Sequence, residues 1–173
     1  EVGPDGALYV IDMQRDVIEH PDYIPEKLKA KLNLRAGEDR GRIYRLTPER
    51  GLPPAKPRLD AAPNVELVAQ LGNLNQWWRQ TAQRLLLERK AVEVTPLLRK
   101  LARGVALRGE DLRYEGYIVG RTTQIEGIGN PMARLHSLWT LAGLGKLEDA
   151  DVLAALADGD AGMRENAAQV AEP

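Results

Sequence analysis

Apolar residues change their period once along this chain. Residues 7–13, Ala-Leu-Tyr-Val-Ile-Asp-Met, and residues 41–47 are short runs rich in Leu, Tyr, Val and Ile, bounded by turn signals; Asp5-Gly6 precedes the first. Such runs predict two strands suited to burial. Between them Ile24, Leu28 and Leu32 fall at helical spacing; Pro25 is placed to open a short helix and Gly37 to follow its end. A plain hairpin needs about two to five residues, so this excursion reads as an insertion at one rim of a sheet. Beyond residue 63 the helical period takes over and predicts helices at 65–71, 76–90, 95–103, 132–144, 150–156 and 162–171. Residues 48–63 carry Pro48, Gly51, Pro53, Pro54, Pro57 and Pro63 and read as an extended linker at a domain boundary. The expected class is mainly α, with a strand pair at 1–47, a linker at 48–63 and helices at 64–173.

Three of the helices share a spacing. Arg79-x-x-Ala82-x-x-Leu85, Arg134-x-x-Ser137-x-x-Thr140 and Arg164-x-x-Ala167-x-x-Val170 each set a cation, a small residue and a third side chain down one flank. The small residue lets a neighbouring helix approach, and the arginine can reach acceptors in the preceding turn. Asp158 and Asp160 stand ahead of Arg164 and Ala167 in the order that a HEAT-type repeat uses, and this segment resembles one. Such repeats run about 40 residues and stack to bury a shared core. The intervals between the arginines are irregular; residues 104–130, Gly-containing and weakly alternating, account for the excess as an insertion with a strand-like stretch.

Charge narrows the function classes. Lys plus Arg total 24 against 25 Asp plus Glu, so the basic stripe of a nucleic-acid-binding surface is not expected. The chain has no cysteine, which excludes disulfides and a Cys-x-x-Cys-His haem attachment within these residues. No apolar run approaches the roughly 20 residues of a membrane span. A chain that opens on Glu1, just ahead of a strand wanting sheet partners, reads as part of something longer.

Candidate chemistry is sparse. His20 follows Asp12, Arg15, Asp16 and Glu19 on a loop leaving the first strand; His20 and Arg15 are the candidates for a catalytic role, with anchoring of the insertion as the alternative. Arg35, Asp39, Arg40, Arg42 and Arg45 surround the second strand and suit ion pairing, or contact with an anionic cofactor. His136 lies within a packing pattern and reads as a satisfied core or interface histidine. Trp77, Trp78 and Trp139 read as packing residues rather than a ligand platform; side chains of adjacent residues on a helix diverge by about 100°, so Trp77 and Trp78 are not expected to face the same core stripe, one packing between repeats and the other covering the linker or the propeller rim. No phosphate loop, Gly-x-Ser-x-Gly elbow or His-Glu-x-x-His pair occurs.

Five stretches together carry a resemblance: Gly3-Pro-Asp-Gly-Ala-Leu-Tyr-Val-Ile-Asp-Met13, Ile18-Glu-His-Pro-Asp-Tyr-Ile-Pro25, Leu34-Arg-Ala-Gly-Glu-Asp-Arg-Gly-Arg-Ile-Tyr-Arg45, Trp77-Trp-Arg-Gln-Thr-Ala-Gln-Arg-Leu-Leu86 and Arg134-Leu-His-Ser-Leu-Trp-Thr-Leu-Ala-Gly-Leu-Gly145. They resemble the membrane-bound dehydrogenase family of planctomycetes and related bacteria. The resemblance implies a β-propeller similar to sorbosone and glucose dehydrogenases, joined to HEAT-like helices and often to a cytochrome c domain. It further implies a periplasmic or membrane-associated oxidoreductase acting on a sugar or alcohol, with pyrroloquinoline quinone, calcium and haem c as cofactors of the whole protein. On that reading residues 1–47 are the last piece of the propeller, and this chain is a non-catalytic joint whose partner is the remainder of the same polypeptide. The rival reading is a propeller and HEAT scaffold that binds a protein partner on its helices.

Overall fold

The computed structural model describes residues 1–52, 55–108, 110–114, 117–118 and 130–172. The chain divides into two compact units, Glu1–Ala55 and Lys56–Pro173.

In the first unit, β1 (Leu8–Asp12) pairs antiparallel with β2 (Arg42–Leu46) in the register Leu8↔Leu46 through Asp12↔Arg42. Asp5 fixes the entry to β1: its carboxylate accepts from the Ala7 N–H at 3.0 Å and from the Tyr9 hydroxyl at 3.2 Å, and pairs with the Arg45 guanidinium across the ladder at 2.6 Å. The Ala7 N–H and then Arg45 hold the Asp5 carboxyl below its ordinary pKa. The Tyr9 ring lies where a Cβ on residue 3 would stand, so that position needs glycine.

Residues between the strands leave and return through a narrow neck. Asp16 N–H donates to the Ala36 carbonyl at 3.2 Å, and Gly37, at φ +86°, packs its Cα against the Gln14 carbonyl. A side chain at residue 37 would meet both a left-handed backbone and that carbonyl. The loop itself holds a 3-10 turn, Pro21–Tyr23, and a single helical turn, α1 (Glu26–Lys29), which Pro25 precedes. The helical spacing of Ile24, Leu28 and Leu32 is thus realised over one turn, and of the three only Ile24 is buried. The strands depart from the burial their composition suggests. Ile11 is 79% exposed and its partner Ile43 is 67% exposed, with Val10, Tyr44 and Leu46 also open. A two-stranded ribbon has no second layer to cover its faces, so composition suited to a core here meets solvent.

The second unit is built of helices. α2 (Asn64–Gln70) packs on α3 (Gln76–Glu88), α4 (Thr95–Ala102) on α5 (Pro131–Gly143), and α6 (Asp149–Leu156) on α7 (Ala161–Val170). α5 also packs on both α3 and α7, and α4 touches α6, so three helical hairpins stand in a row two layers deep. Leu67, Val68, Leu71, Leu86, Leu98 and Leu141 are among the fully buried side chains of one continuous core. The end of the proline-rich stretch belongs to this core: Leu59 and Ala62 are buried, and Arg89 donates to the carbonyls of Leu59, Asp60 and Ala62 at 2.6–3.0 Å. An extended, proline-rich backbone leaves carbonyls without ladder partners, and one guanidinium takes three of them.

The stretch 104–130 sits between α4 and α5, within the second hairpin. It contributes buried Leu107 and Leu112 to the core and a short hairpin of β3 (Arg113–Tyr114) and β4 (Tyr117–Ile118). The rest of the strand-like reading, at 115–116 and 119–125, lies outside the described residues. The class is mainly α.

Candidate functional site

Each inner helix of the stack opens with the same local chemistry. Asn75, Asn130 and Asp160 cap α3, α5 and α7, their side-chain oxygens accepting from the N–H groups of Trp77, Ala133 and Met163 at 2.9, 2.8 and 3.0 Å. Asx side chains supply acceptors for helix N–H groups that lack an intrahelical partner. Two turns carry a second Asx: Asn73 accepts from Asn75 N–H and Asp158 from Asp160 N–H. Arg79 and Arg164 then reach back to the carbonyls of those turns. Arg134 instead reaches sideways, pairing with the Asp158 carboxylate of the next hairpin, while Asn130 Nδ2 donates to the Gly72 carbonyl of the previous one at 3.0 Å. The loops ahead of the three inner helices are thereby tied together by polar side chains. Ala82, Ser137 and Ala167, three residues after the arginines, are all fully buried.

A second polar row joins the inner helices. Arg79 Nε donates to His136 Nε2 at 3.4 Å; arginine has only donors, so His136 carries its proton on Nδ1 and donates it to Gln83 Oε1 at 2.6 Å. Burial, with the Arg79 cation beside it, pushes the His136 imidazole down to about 4. This histidine is neutral at pH 7 and has a partner on each ring nitrogen. Trp139 Nε1 donates to Asn166 at 2.8 Å. Trp77 and Trp78 both pack against the helical core, edge to face with centroids 5.7 Å apart.

A third cluster has no counterpart in the sequence reading. Asp151, fully buried on α6, accepts from Arg99 Nε of α4 at 3.0 and 3.2 Å and pairs at 2.7 Å with Arg103, the residue that caps the C-terminal end of α4. Arg99 also pairs with Glu148 at 2.9 Å and donates to the Lys146 carbonyl at 2.8 Å. Burial raises the Asp151 pKa, and the hydrogen bonds from Arg99 and Arg103 outweigh it, holding the carboxyl below its ordinary value. The signals were present as the capping-box spacing Glu148-x-x-Asp151 and the one-turn spacing of Arg99 and Arg103.

In the first unit Arg15 and His20 serve different places. Arg15 closes the neck, donating to the Arg35 carbonyl at 3.4 Å with Glu38 at 3.8 Å. His20 is exposed; its Nδ1 accepts from Asp22 N–H at 3.3 Å and so caps the 3-10 turn. Arg42 pairs with Asp12 at 3.6 Å, and Arg45 with Asp5, across the ribbon. A shallow groove of about 400 Å³ runs past Ile11, Met13, Arg15, Arg42 and Ile43. Among the described residues no group of three or more His, Cys, Asp or Glu is placed to hold a metal ion. The chain has no cysteine to attach a c-type haem.

A family model described as "Domain of unknown function (DUF7133)" matches residues 1–50. No curated protein and no solved structure matches the chain. No described helix is long and apolar enough to cross a membrane.

Proposed function

We propose that this chain is the non-catalytic joint of an exported, quinone-dependent propeller dehydrogenase, linking the last strands of the propeller to HEAT-like helix pairs. The observation that carries the reading is the open ribbon. Strands with Leu, Val, Ile and Tyr on both faces, in a sheet of only two, suit half of a blade, which further strands and a neighbouring blade would bury. The sequence resemblance supplies the chemistry: oxidation of a sugar or alcohol by quinone in the propeller, with electrons passed to haem c elsewhere in the protein. The helical unit supports the HEAT-like part through its three stacked hairpins and the matched placement of Arg79 and Arg164.

A scaffold without redox activity is the second reading, favoured by the apolar surface on both units. Expression of the complete reading frame that contains this chain separates the two. A haem c absorbance spectrum, with dye reduction that depends on added quinone and calcium, is the expected result. A folded, redox-silent product with further helical repeats would remove the dehydrogenase and leave the scaffold.

A further inference from the structure

The last hairpin carries a surface that the dehydrogenase reading does not use. Helix α6 is apolar on nearly every side: Val152 is half-buried, Ala154 and Leu156 are exposed, and Leu153 is 66% exposed. A helix of that composition is ordinarily covered all round. Beside it, towards α7, runs a groove of about 450 Å³ lined by Leu147, Val152, Leu153 and Val170 together with Glu148 and Asp149. Of the seven carboxylates in residues 147–172, Glu148, Asp151 and Asp158 pair with Arg99, Arg103 and Arg134 from neighbouring elements, which leaves Asp149, Asp160, Glu165 and Glu172 beside the one cation of the stretch, Arg164.

The opposite side of α6 shows what such a surface accepts. There α4 sets Leu98 and Leu101 into the core while Arg99 and Arg103, one turn apart, clasp Asp151, and Arg99 also reaches Glu148. One side of α6 is thus already covered by a helix with cations a turn apart beside leucines. The groove offers the same chemistry again, with Asp149 in the first turn and Val152 and Leu153 in the next.

We propose that the α6–α7 groove docks a basic amphipathic helix of a partner protein, its leucine-type side chains against Leu153 and Val152 and its Lys or Arg side chains against Asp149. The surface requires no redox chemistry, so the proposal stands whether or not the whole protein is a dehydrogenase.

The test uses the 173-residue chain and two labelled peptides about 15 residues long, with identical leucines at helical spacing and either Lys or Glu on the polar face. Fluorescence anisotropy should show the Lys peptide binding and the Glu peptide at least about tenfold weaker. Asp149→Lys should weaken the Lys peptide. Leu153→Asp should abolish its binding although the substitution adds a carboxylate; its side chain is exposed, and an unchanged thermal melt verifies the fold. Binding kept or strengthened in L153D would mean mere counter-charge and would overturn the proposal. So would equal binding of both peptides, or failure of the Lys peptide to bind while sedimentation shows a dimer that L153D dissolves.

Discussion

Arg79 and Arg164 make the same pair of hydrogen bonds in different hairpins. The Nη1 of Arg79 donates to the carbonyls of Asn73 and Leu74 at 2.6 and 2.9 Å, and the Nη1 of Arg164 to those of Asp158 and Gly159 at 2.8 and 3.0 Å. Each guanidinium closes the turn that leads into its own helix, where carbonyls would otherwise point out of the structure unpaired. Replacement of Arg79 by Ala should cost about 1–3 kcal/mol, and of Arg164 about 1 kcal/mol, since the Arg164 contacts are the more exposed. Lysine should restore little at either site, because one ammonium does not reproduce the planar fork. Urea unfolding followed by helical circular dichroism measures both.

Asp151 should be the most costly single charge to remove. Its buried carboxylate faces two guanidinium groups, so Asp151→Ala leaves Arg99 and Arg103 partly desolvated and without their acceptor, at about 3–5 kcal/mol. Because its folded pKa is depressed below the ordinary 3.8, the pair contributes fully above that value and is lost as pH falls through the lower, folded value. Stability titrated below about pH 4 should therefore fall in the native chain and fall less in Asp151→Asn.

His136 acts in a different window. Its ordinary pKa of 6.5 drops to about 4 on folding, so the unfolded chain takes up the proton first. Its contribution is whole above 6.5 and declines as pH falls from 6.5 to about 4. The full shift corresponds to about 3–4 kcal/mol, and because the ring keeps some contact with solvent the loss should reach about 2–3 kcal/mol. His136→Gln, which keeps an acceptor for Arg79, should flatten the curve across that interval and leave the drop below pH 4 attributed to carboxylates. An unchanged curve would show that folding does not lower the pKa of the histidine.

Ile11 and Ile43 are cross-strand partners with both side chains in solvent. Changing both to Thr keeps β-branched strand formers and removes apolar surface. Dye binding by exposed apolar sites and light scattering should fall, with stability moved by no more than about 0.5 kcal/mol. A larger loss would mean that these side chains are already covered.

The division of the chain at Ala55 and Lys56 predicts a protease pattern. Arg50 and Arg58 are exposed trypsin sites, whereas Lys56 precedes Pro57 and resists cleavage. Limited digestion should cut at Arg50 or Arg58, degrade the first unit and leave the helical unit intact, because a lone two-stranded ribbon is marginal. Recovery of a protected 1–58 product would contradict this.

The sequence by itself determined the helices from residue 64 onward, the strand pair and the matched Arg, small-residue spacing. These rest on local period and on turn chemistry between near neighbours, such as Asn75 capping α3 and Asp160 capping α7. Ala82, Ser137 and Ala167 could be marked as close-approach positions because one flank of one helix suffices to see them. Only the tertiary structure decided which distant groups meet. Arg99 lies 52 residues from Asp151, and Arg89 lies 27–30 residues from the acceptors it gathers in the proline-rich stretch. Neither pairing has a period to betray it; each exists because helix packing brings a guanidinium and its acceptors together where water is largely excluded. Exposure was likewise a tertiary matter. Ile11 has the composition of a core strand, and a sheet of two strands leaves it in solvent because strand propensity states what a segment can bury, not what stands opposite to bury it.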